Sequence, residues 1–519
     1  MSQSSRISTV LAVALTVASC LMPFFHRAGE DYLIIGGAGF LLLFLSIVFL
    51  FQIIHKSGGV VIIKTDLFFL LFGIYALLNV FVHKSVTTPI LLWKWLGAVC
   101  IYILGKVLAK VKSGLHLILI VPAFVQAIVV LLQEFGWLKS FSFYFPVSGT
   151  FGNPSFPATI ITLGLASLLA FLPSSFRSFV KWKKAGSLLL CVILFAGLLC
   201  CHSRTGLLAI SICFGLLVYQ HRPNWKTIIV LLAIAGAALA GLYFIRPGSA
   251  NLRLLIWRAS FPLFAEHSLF GAGSTSFASH YMYAQASYFA AHTNSSFALI
   301  AGNHYQPYNE LIRLLCEQGV VGAGMFLLAF LPLLGHRGAT QIPLVALSVI
   351  SITFNVSDLF ILYLFFWILA GYASAGSEPF LFPIPQNRLF IPALLSLSLC
   401  FFSALRIFDR SFMHDPSHKL TIPTYEAVCE EGKMLQAEGN TERAEVCYKL
   451  AWDMIPSRIT ATYLLFKLYA DSNDEKASEL GNIILNEQPL RTVSGQTLQM
   501  KQDIRKILQE KSVHSEDNP

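Results

Sequence analysis

Runs of about twenty residues with almost no charge recur along this chain of 519 residues, and no other feature limits its fold as strongly. They fall near 7–25, 32–54, 66–82, 89–108, 115–137, 156–173, 186–201, 205–220, 227–246 and 308–335. A split pair follows at 342–354 and 357–375, and a last run at 389–406. Each approaches the ~20 residues that carry a helix across the hydrocarbon core, 342–354 being short. Lipid offers no water to backbone N–H and C=O groups, so such segments must close their hydrogen bonds internally, as helices. Composition agrees: 55% of residues are apolar and 12% are charged, against roughly 25% charged in soluble domains. The expected fold class is all-α, a polytopic transmembrane protein of 12 or 13 spans. The uncertain count lies in Asn355-Val356-Ser357-Asp358, which reads as a turn between two helices or as a polar kink in one. The apolar run after Arg6 is followed by further spans, so it reads as a first transmembrane helix rather than a cleaved signal.

The basic excess, 37 Lys and Arg against 27 Asp and Glu, reads in such a chain as a topology signal and not as a nucleic-acid surface. With the N-terminus inside, inner loops hold Lys56, Lys64, Lys106, Lys110, Lys112, Arg177, Lys181, Lys183, Lys184, Arg222, Lys226 and Arg337. Outer loops hold Arg27, Lys84, Lys139, Arg204 and the basic residues of one long segment. That long segment, 247–307, is polar, lies between apolar runs and faces outward in this topology. Its size and its place point to an active-site cap.

Residues 1–406 thus form the membrane domain. Beyond about 410 the chain becomes charged and helical in period. The stretch 420–511 reads as a tetratricopeptide-like domain, with Gly432, Ala444, Tyr448, Ala451 and Pro456 at the small, aromatic and proline positions of a ~34-residue repeat. Gly439-Asn440 makes the turn. A second copy runs from Ile459 to Pro489, with Tyr469, Asn473 and Ala477 in step. Such repeats bind polypeptide, so a protein partner is an expectation here. Residues 512–519 read as a disordered tail. Eight of the ten cysteines lie in apolar segments and act as small hydrophobes; Cys429 and Cys447 of the tail stand where they could pair in an oxidising compartment.

Three polar clusters interrupt the apolar pattern: Gly149-Thr150-Phe151-Gly152-Asn153-Pro154, His202-Ser203-Arg204-Thr205-Gly206, and the long segment itself. All three fall on the outer face, where chance would divide them between faces. Arg204 opens a span and needs an anionic partner or water; alternatively it snorkels to anchor a helix end. Arg253 and Arg258 face one nearby acid, Glu266, and uncompensated arginines suit phosphate. His304 stands five residues before Asn309 and can take a proton from a hydroxyl; His267, His280 and His292 compete for that role. Asn309 and Glu310 open the next helix, where plain capping is the alternative. Lys94, between Trp93 and Trp95, reads mainly as an interface anchor, with a lesser role in binding anionic lipid. The outer face carries no aspartate-rich metal site, and the chain has neither a GxSxG elbow nor a P-loop. These absences argue against a metal-dependent transferase, a serine hydrolase or an ATPase.

Four of these stretches resemble the O-antigen ligase and polymerase superfamily of bacterial envelope glycan enzymes. GTFGNPSFPA at 149–158 is similar to that family's Gly-x-Phe-x-Asn-Pro-Asn loop, with Ser155 in place of the second Asn. SRTG at 203–206, the segment from Arg253 to Phe277, and NELIRLLCEQGVVG at 309–322 match in order and spacing. The resemblance implies a membrane glycosyltransferase that moves a glycan from undecaprenyl pyrophosphate to an acceptor hydroxyl on the periplasmic face of the inner membrane. It also implies inversion, no cofactor and no metal. Carried over by position, Arg204 and Arg253 hold the diphosphate and His304 deprotonates the acceptor; Arg258, Asn309, Glu310, Asn153 and Lys94 are candidates for binding substrate. The chain departs from the family pattern at Gln306-Pro307-Tyr308, where many members place a histidine beside the Asn. The expected partners are the lipid-linked glycan, membrane lipids, and an acceptor that is lipid A–core, a growing glycan chain or protein. A transporter of lipid-linked glycans is the reading from a different class. It would call for internal repeats and mid-membrane charges, and neither is seen in the sequence.

Overall fold

The computed structural model describes residues 63–83, 88–111, 115–175, 180–221, 247–375 (except 337 and 339) and 423–516 (except 473 and 492), with Lys226, Ile229, Ala233 and Gly236 besides. The apolar runs 7–25, 32–54 and 389–406, and all but three positions of 227–246, lie outside the described residues, as does Asn473. Among the described residues every regular element is helical. In chain order the helices are α1 (Lys64–Val82), α2 (Thr88–Val111), α3 (Leu115–Glu134), α4 (Ser155–Ser175), α5 (Lys181–Cys200) and α6 (Arg204–His221). Next come α7 (Pro247–Glu266), α8 (Ser276–Ala291), α9 (Glu310–Gly335), α10 (Gln341–Ser351) and α11 (Phe360–Ser374). The C-terminal set is α12 (Tyr425–Ala437), α13 (Thr441–Met454), α14 (Ile459–Ser472), α15 (Asp474–Asn482) and α16 (Gly495–Glu516). Among the described residues, four helices are long and apolar enough to cross a membrane: α3, α4 over Ser155–Leu172, α5 and α9.

The chain divides into two compact units. One is Met1–Phe244 with Tyr308–Leu311 and Val321–Lys419; the other is Ile245–Pro307 with Ile312–Val320 and Leu420–Pro519. In the first unit, small residues let helices approach closely, which is how apolar helices gain contact in lipid. A Cβ on Gly164 would lie 2.1 Å from that of Ala123, and one on Gly197 would lie 2.9 Å from that of Ala127. α2 and α11 meet backbone to backbone, since a Cβ on Gly371 would fall 1.9 Å from the Tyr102 carbonyl oxygen. One end of this unit is marked by a charge pair, in which the buried Lys106 near the end of α2 meets the half-buried Asp66 at the start of α1. The Asp66 carboxylate also accepts from the Tyr102 hydroxyl, 2.6 Å, and the Ile63 N–H, 2.8 Å.

α10 and α11 are separate helices joined by residues 352–359, which include a short 3₁₀ turn, Val356–Asp358. Of the two readings of Asn355 to Asp358, the turn between helices is the one observed.

In the second unit, the segment 247–307 differs from the long polar loop expected of it: most of it is helical. α7 buries Leu255, Ile256, Ala259 and Leu263, each at most 5% exposed, and these positions recur with helical period on one face. Scattered polar residues between them hid that stripe. The C-terminal residues form helical hairpins. α12 turns into α13 through Gly439, whose φ of 83° suits a residue without a Cβ. Gly432 gives the Tyr448 ring its place, as a Cβ there would lie 2.5 Å from the ring. Ala444, Tyr448, Ala451, Phe466 and Ala477 are fully buried. Cys429, buried, and Cys447, half-buried, are free thiols. α16 continues to Glu516, into the stretch 512–519.

Candidate functional site

In the first unit, four polar strips converge on the end remote from Asp66 and Lys106. Two buried glutamines of α3 hold the Gly149–Asn153 strip. Gln133 Oε1 accepts from the Ser148 and Gly149 N–H groups, 2.9 and 2.8 Å, and its Nε2 donates to the Gly149 carbonyl, 2.8 Å. One turn-pair earlier, Gln126 accepts from the Thr150 N–H, 3.2 Å, and donates to Thr150 Oγ1, 2.8 Å. Four backbone polar groups of an irregular loop are thereby satisfied inside an apolar bundle, as burial requires. Asn153 is exposed and accepts from the Ser155 N–H, 2.9 Å, at the head of α4.

The Ser203–Gly206 strip opens α6. Gly206 packs where a Cβ would come within 2.7 Å of Leu198 and of Thr162 Oγ1, so this motif glycine serves close packing. Arg204 is half-buried. Its neighbour Thr205 shares a hydrogen bond with Thr353, 2.7 Å, and the Phe156 and Phe354 rings pack edge to face, 5.2 Å. Glu310 accepts from the Ser357 N–H, 2.7 Å, and Asn309, 7% exposed, accepts from the Leu311 N–H, 2.9 Å. The strips around Asn153, Arg204 and Glu310 are thus joined through the 353–358 turn. Lys94 lies on α2, in its second turn.

The second unit carries Arg253, Arg258 and all four histidines of the long segment. Its irregular stretch 301–307 is fixed from three sides. The Trp257 Nε1–H of α7 donates to the Pro307 carbonyl, 2.9 Å. Gln285 of α8 donates to the Gly302 carbonyl, 3.2 Å, and to the Met454 carbonyl at the end of α13, 2.7 Å. Asn303 accepts from the Tyr425 N–H, 2.9 Å, and donates to the Glu426 carboxylate, which also pairs with Arg458. His304 is half-buried within this frame. Burial first, and the Arg491 cation second, push it down to about 4, so it is neutral at physiological pH. The other three are exposed. His280 Nδ1 bonds locally to Ser276 and Ser279, both 2.9 Å, and His292 stacks on Tyr288, 4.6 Å.

Arg253 precedes Trp257 by one helical turn and so shares the face of α7 that holds Pro307. It is half-buried and donates to Ser249 Oγ, 3.4 Å. Arg258 is exposed and rests over the Phe297 ring, 5.4 Å. The motif glycines 271 and 319 have a structural task. α9 breaks at Gly319 (φ 66°, ψ −174°), and the freed carbonyls of Cys316 and Glu317 accept from Ala272 and Gly273, 2.9 and 3.1 Å. A Cβ on Gly271 would lie 2.3 Å from the Glu317 oxygen, and one on Gly319 would lie 2.3 Å from the Leu269 oxygen. The two motifs interlock by backbone alone.

Sequence reasoning missed the groups that hold these polar strips: Gln126, Gln133 and the 353–358 turn in the first unit, and Gln285 and Asn303 in the second. A signal existed for the first pair: two amides seven residues apart share one face of an otherwise apolar helix. Residues 189–327 match the family model described as O-Antigen ligase. No curated protein matches the chain. The matched stretch runs from within α5 into α9 and includes Arg204, Arg253, Arg258, His304, Asn309 and Glu310; Lys94, Asn153 and the C-terminal helices lie beyond it. Together, the apolar helices and this match support a membrane protein whose central segment is similar to the O-antigen ligases, and an activity of the ligase or polymerase kind on a lipid-linked glycan.

Proposed function

We propose that this protein transfers a glycan from undecaprenyl pyrophosphate to an acceptor hydroxyl, lipid A–core first among acceptors, at the periplasmic face of a bacterial inner membrane. The observation that carries this reading is the family match over the segments that hold Arg204, Arg253 and His304. Convergence of the Asn153, Arg204 and Glu310 strips on one end of the first unit supports it.

In this reading the acceptor oxygen attacks the anomeric carbon, and the bond from that carbon to the diphosphate oxygen breaks with inversion. The electron pair goes to the diphosphate, where Arg204 and Arg253 meet the charge that develops. A diphosphate is a weakly basic leaving group and needs little acid catalysis. The acceptor proton passes to His304. A histidine near 4 is a weak base at rest, yet it is fully in the accepting form at pH 7. The hydroxyl grows acidic as its oxygen bonds to carbon, so a weak base suffices late in that step. The anionic donor arriving on the Arg253 face of α7 raises the histidine's basicity when it is needed. Asn309, Glu310, Asn153, Arg258 and Lys94 are proposed to contact substrate or lipid.

Contacts within the second unit support an outer, periplasmic tail. Asn303 is bonded to Tyr425 and Glu426, and Gln285 to Met454, so the long segment and the C-terminal helices share one compartment in this reading. With α10 and α11 counted as two passages and 389–406 as another, thirteen crossings return the tail to the outer side. The paired helices 425–454 and 459–487 then serve as a tetratricopeptide-like module on the periplasmic side, with a polypeptide as its ligand. Deleting the gene in its host tests the function. Loss of the lipopolysaccharide ladder on a gel, with build-up of lipid-linked glycan, is expected. Loss of glycoprotein bands instead would name a protein acceptor, and an unchanged pattern of both would overturn the transferase reading.

A further inference from the structure

The turn between α10 and α11 holds two polar side chains that the transfer chemistry above does not use. Asn355 is 2% exposed, and neither its Nδ2 nor its Oδ1 meets a hydrogen-bond partner. It precedes the 3₁₀ turn Val356–Asp358, where an asparagine ordinarily spends its oxygen on capping; here it makes no such bond. Ser357 Oγ is likewise buried without a partner, while the Ser357 backbone N–H is bound by Glu310. Folded proteins keep few buried donors and acceptors unmet, and each such group calls for an explanation. The turn also lies beside the proposed diphosphate cation, because Thr353 is hydrogen-bonded to Thr205, the residue after Arg204.

The two side chains indicate the ligand. A diphosphate presents only acceptors; it would satisfy the Asn355 amide N–H and repel its Oδ1. A sugar hydroxyl both donates and accepts, and neighbouring hydroxyls on one ring suit an amide and a hydroxyl held on one short turn. We propose that Asn355 and Ser357 form a saccharide subsite, which binds hydroxyls of the sugar attached to the diphosphate. This rests on the reading that Arg204 holds that diphosphate. The subsite would orient the anomeric carbon and select the donor, since a site built to bond a hydroxyl strongly rejects an analogue that lacks it.

The test compares two probes on purified full-length protein: undecaprenyl diphosphate bearing its glycan, and bare undecaprenyl diphosphate. Wild type binds the glycan-bearing lipid more tightly. Asn355→Leu, close in volume and apolar, is expected to lose most of that preference, roughly tenfold or more, with binding of the bare lipid unchanged. Its melting temperature should not fall, because an unmet buried amide has been removed. Ser357→Ala should erode the preference in the same direction and by less. It keeps the backbone bond to Glu310, so it decides the matter if the leucine variant does not fold. Wild-type preference retained in the folded variants overturns the subsite alone. Failure of the wild type to bind either lipid overturns the transferase reading, and the subsite with it.

Discussion

Among four histidines on one segment, burial separates His304 from the rest. The charge beside it comes from Arg491, nearly two hundred residues away in sequence, and its backbone neighbour Asn303 is held by Glu426. Such contacts are made by the fold, which is why periodicity and composition leave the four histidines equal. Arg204 stands out in the sequence because an arginine at the head of an apolar run is conspicuous; Asn355 does not, because its interest lies in the hydrogen bonds it lacks. The His304 environment carries a sign. A histidine held at about 4 is deprotonated above that pH, so the acid limb of kcat/KM should fall near pH 4 and not near 6.5. Arg491→Gln removes a cation that disfavours protonation, and the limb should move to higher pH. A limb that stays in place in that variant, or lies near 6.5 in wild type, would separate His304 from the proton transfer.

At the scale of elements, the apolar runs predicted the helices closely, because lipid leaves a backbone little choice. α3, α4, α5, α6 and α9 lie within a few residues of runs read from hydropathy. Segment 247–307 was harder. Its helices expose polar faces, and α7 shows its buried stripe only when Leu255, Ile256, Ala259 and Leu263 are taken together. The strip around Asn153 shows how an irregular element is held in place. Gln133 alone supplies three of its hydrogen bonds, all from a buried position. Gln133→Leu would leave those backbone groups unmet, at about 1–3 kcal/mol for each buried group that finds no water. Thermal unfolding in detergent should show a clear loss of stability, and transfer should fall with it. A melting temperature equal to wild type would mean that the strip is held by something other than α3.

At the scale of the whole molecule, the long segment and the C-terminal helices form one unit although parts of the chain between them belong to the other. Hydropathy cannot reveal this, since the contacts join residues 285–303 to residues 425–454. Its consequence is topological: helices that pack together must share a compartment. Glu442 is exposed on α13. Glu442→Cys, in a Cys447→Ser background, should react in intact cells with a maleimide that does not cross the inner membrane. Reaction only after that membrane is opened would place the tail inside and leave an even number of crossings.

In the proposed reaction, fixed arginines support glycan transfer from a lipid diphosphate. Purified protein, given undecaprenyl-diphosphate-linked glycan and an acceptor, should release undecaprenyl diphosphate in step with acceptor glycosylation. Arg204→Ala should fold and insert but lose activity by about 10²–10³-fold or more, the size expected when a preorganised charge donor is removed. Full activity in that variant would remove Arg204 from the reaction, and no release by wild type with both substrates present would overturn the transfer itself.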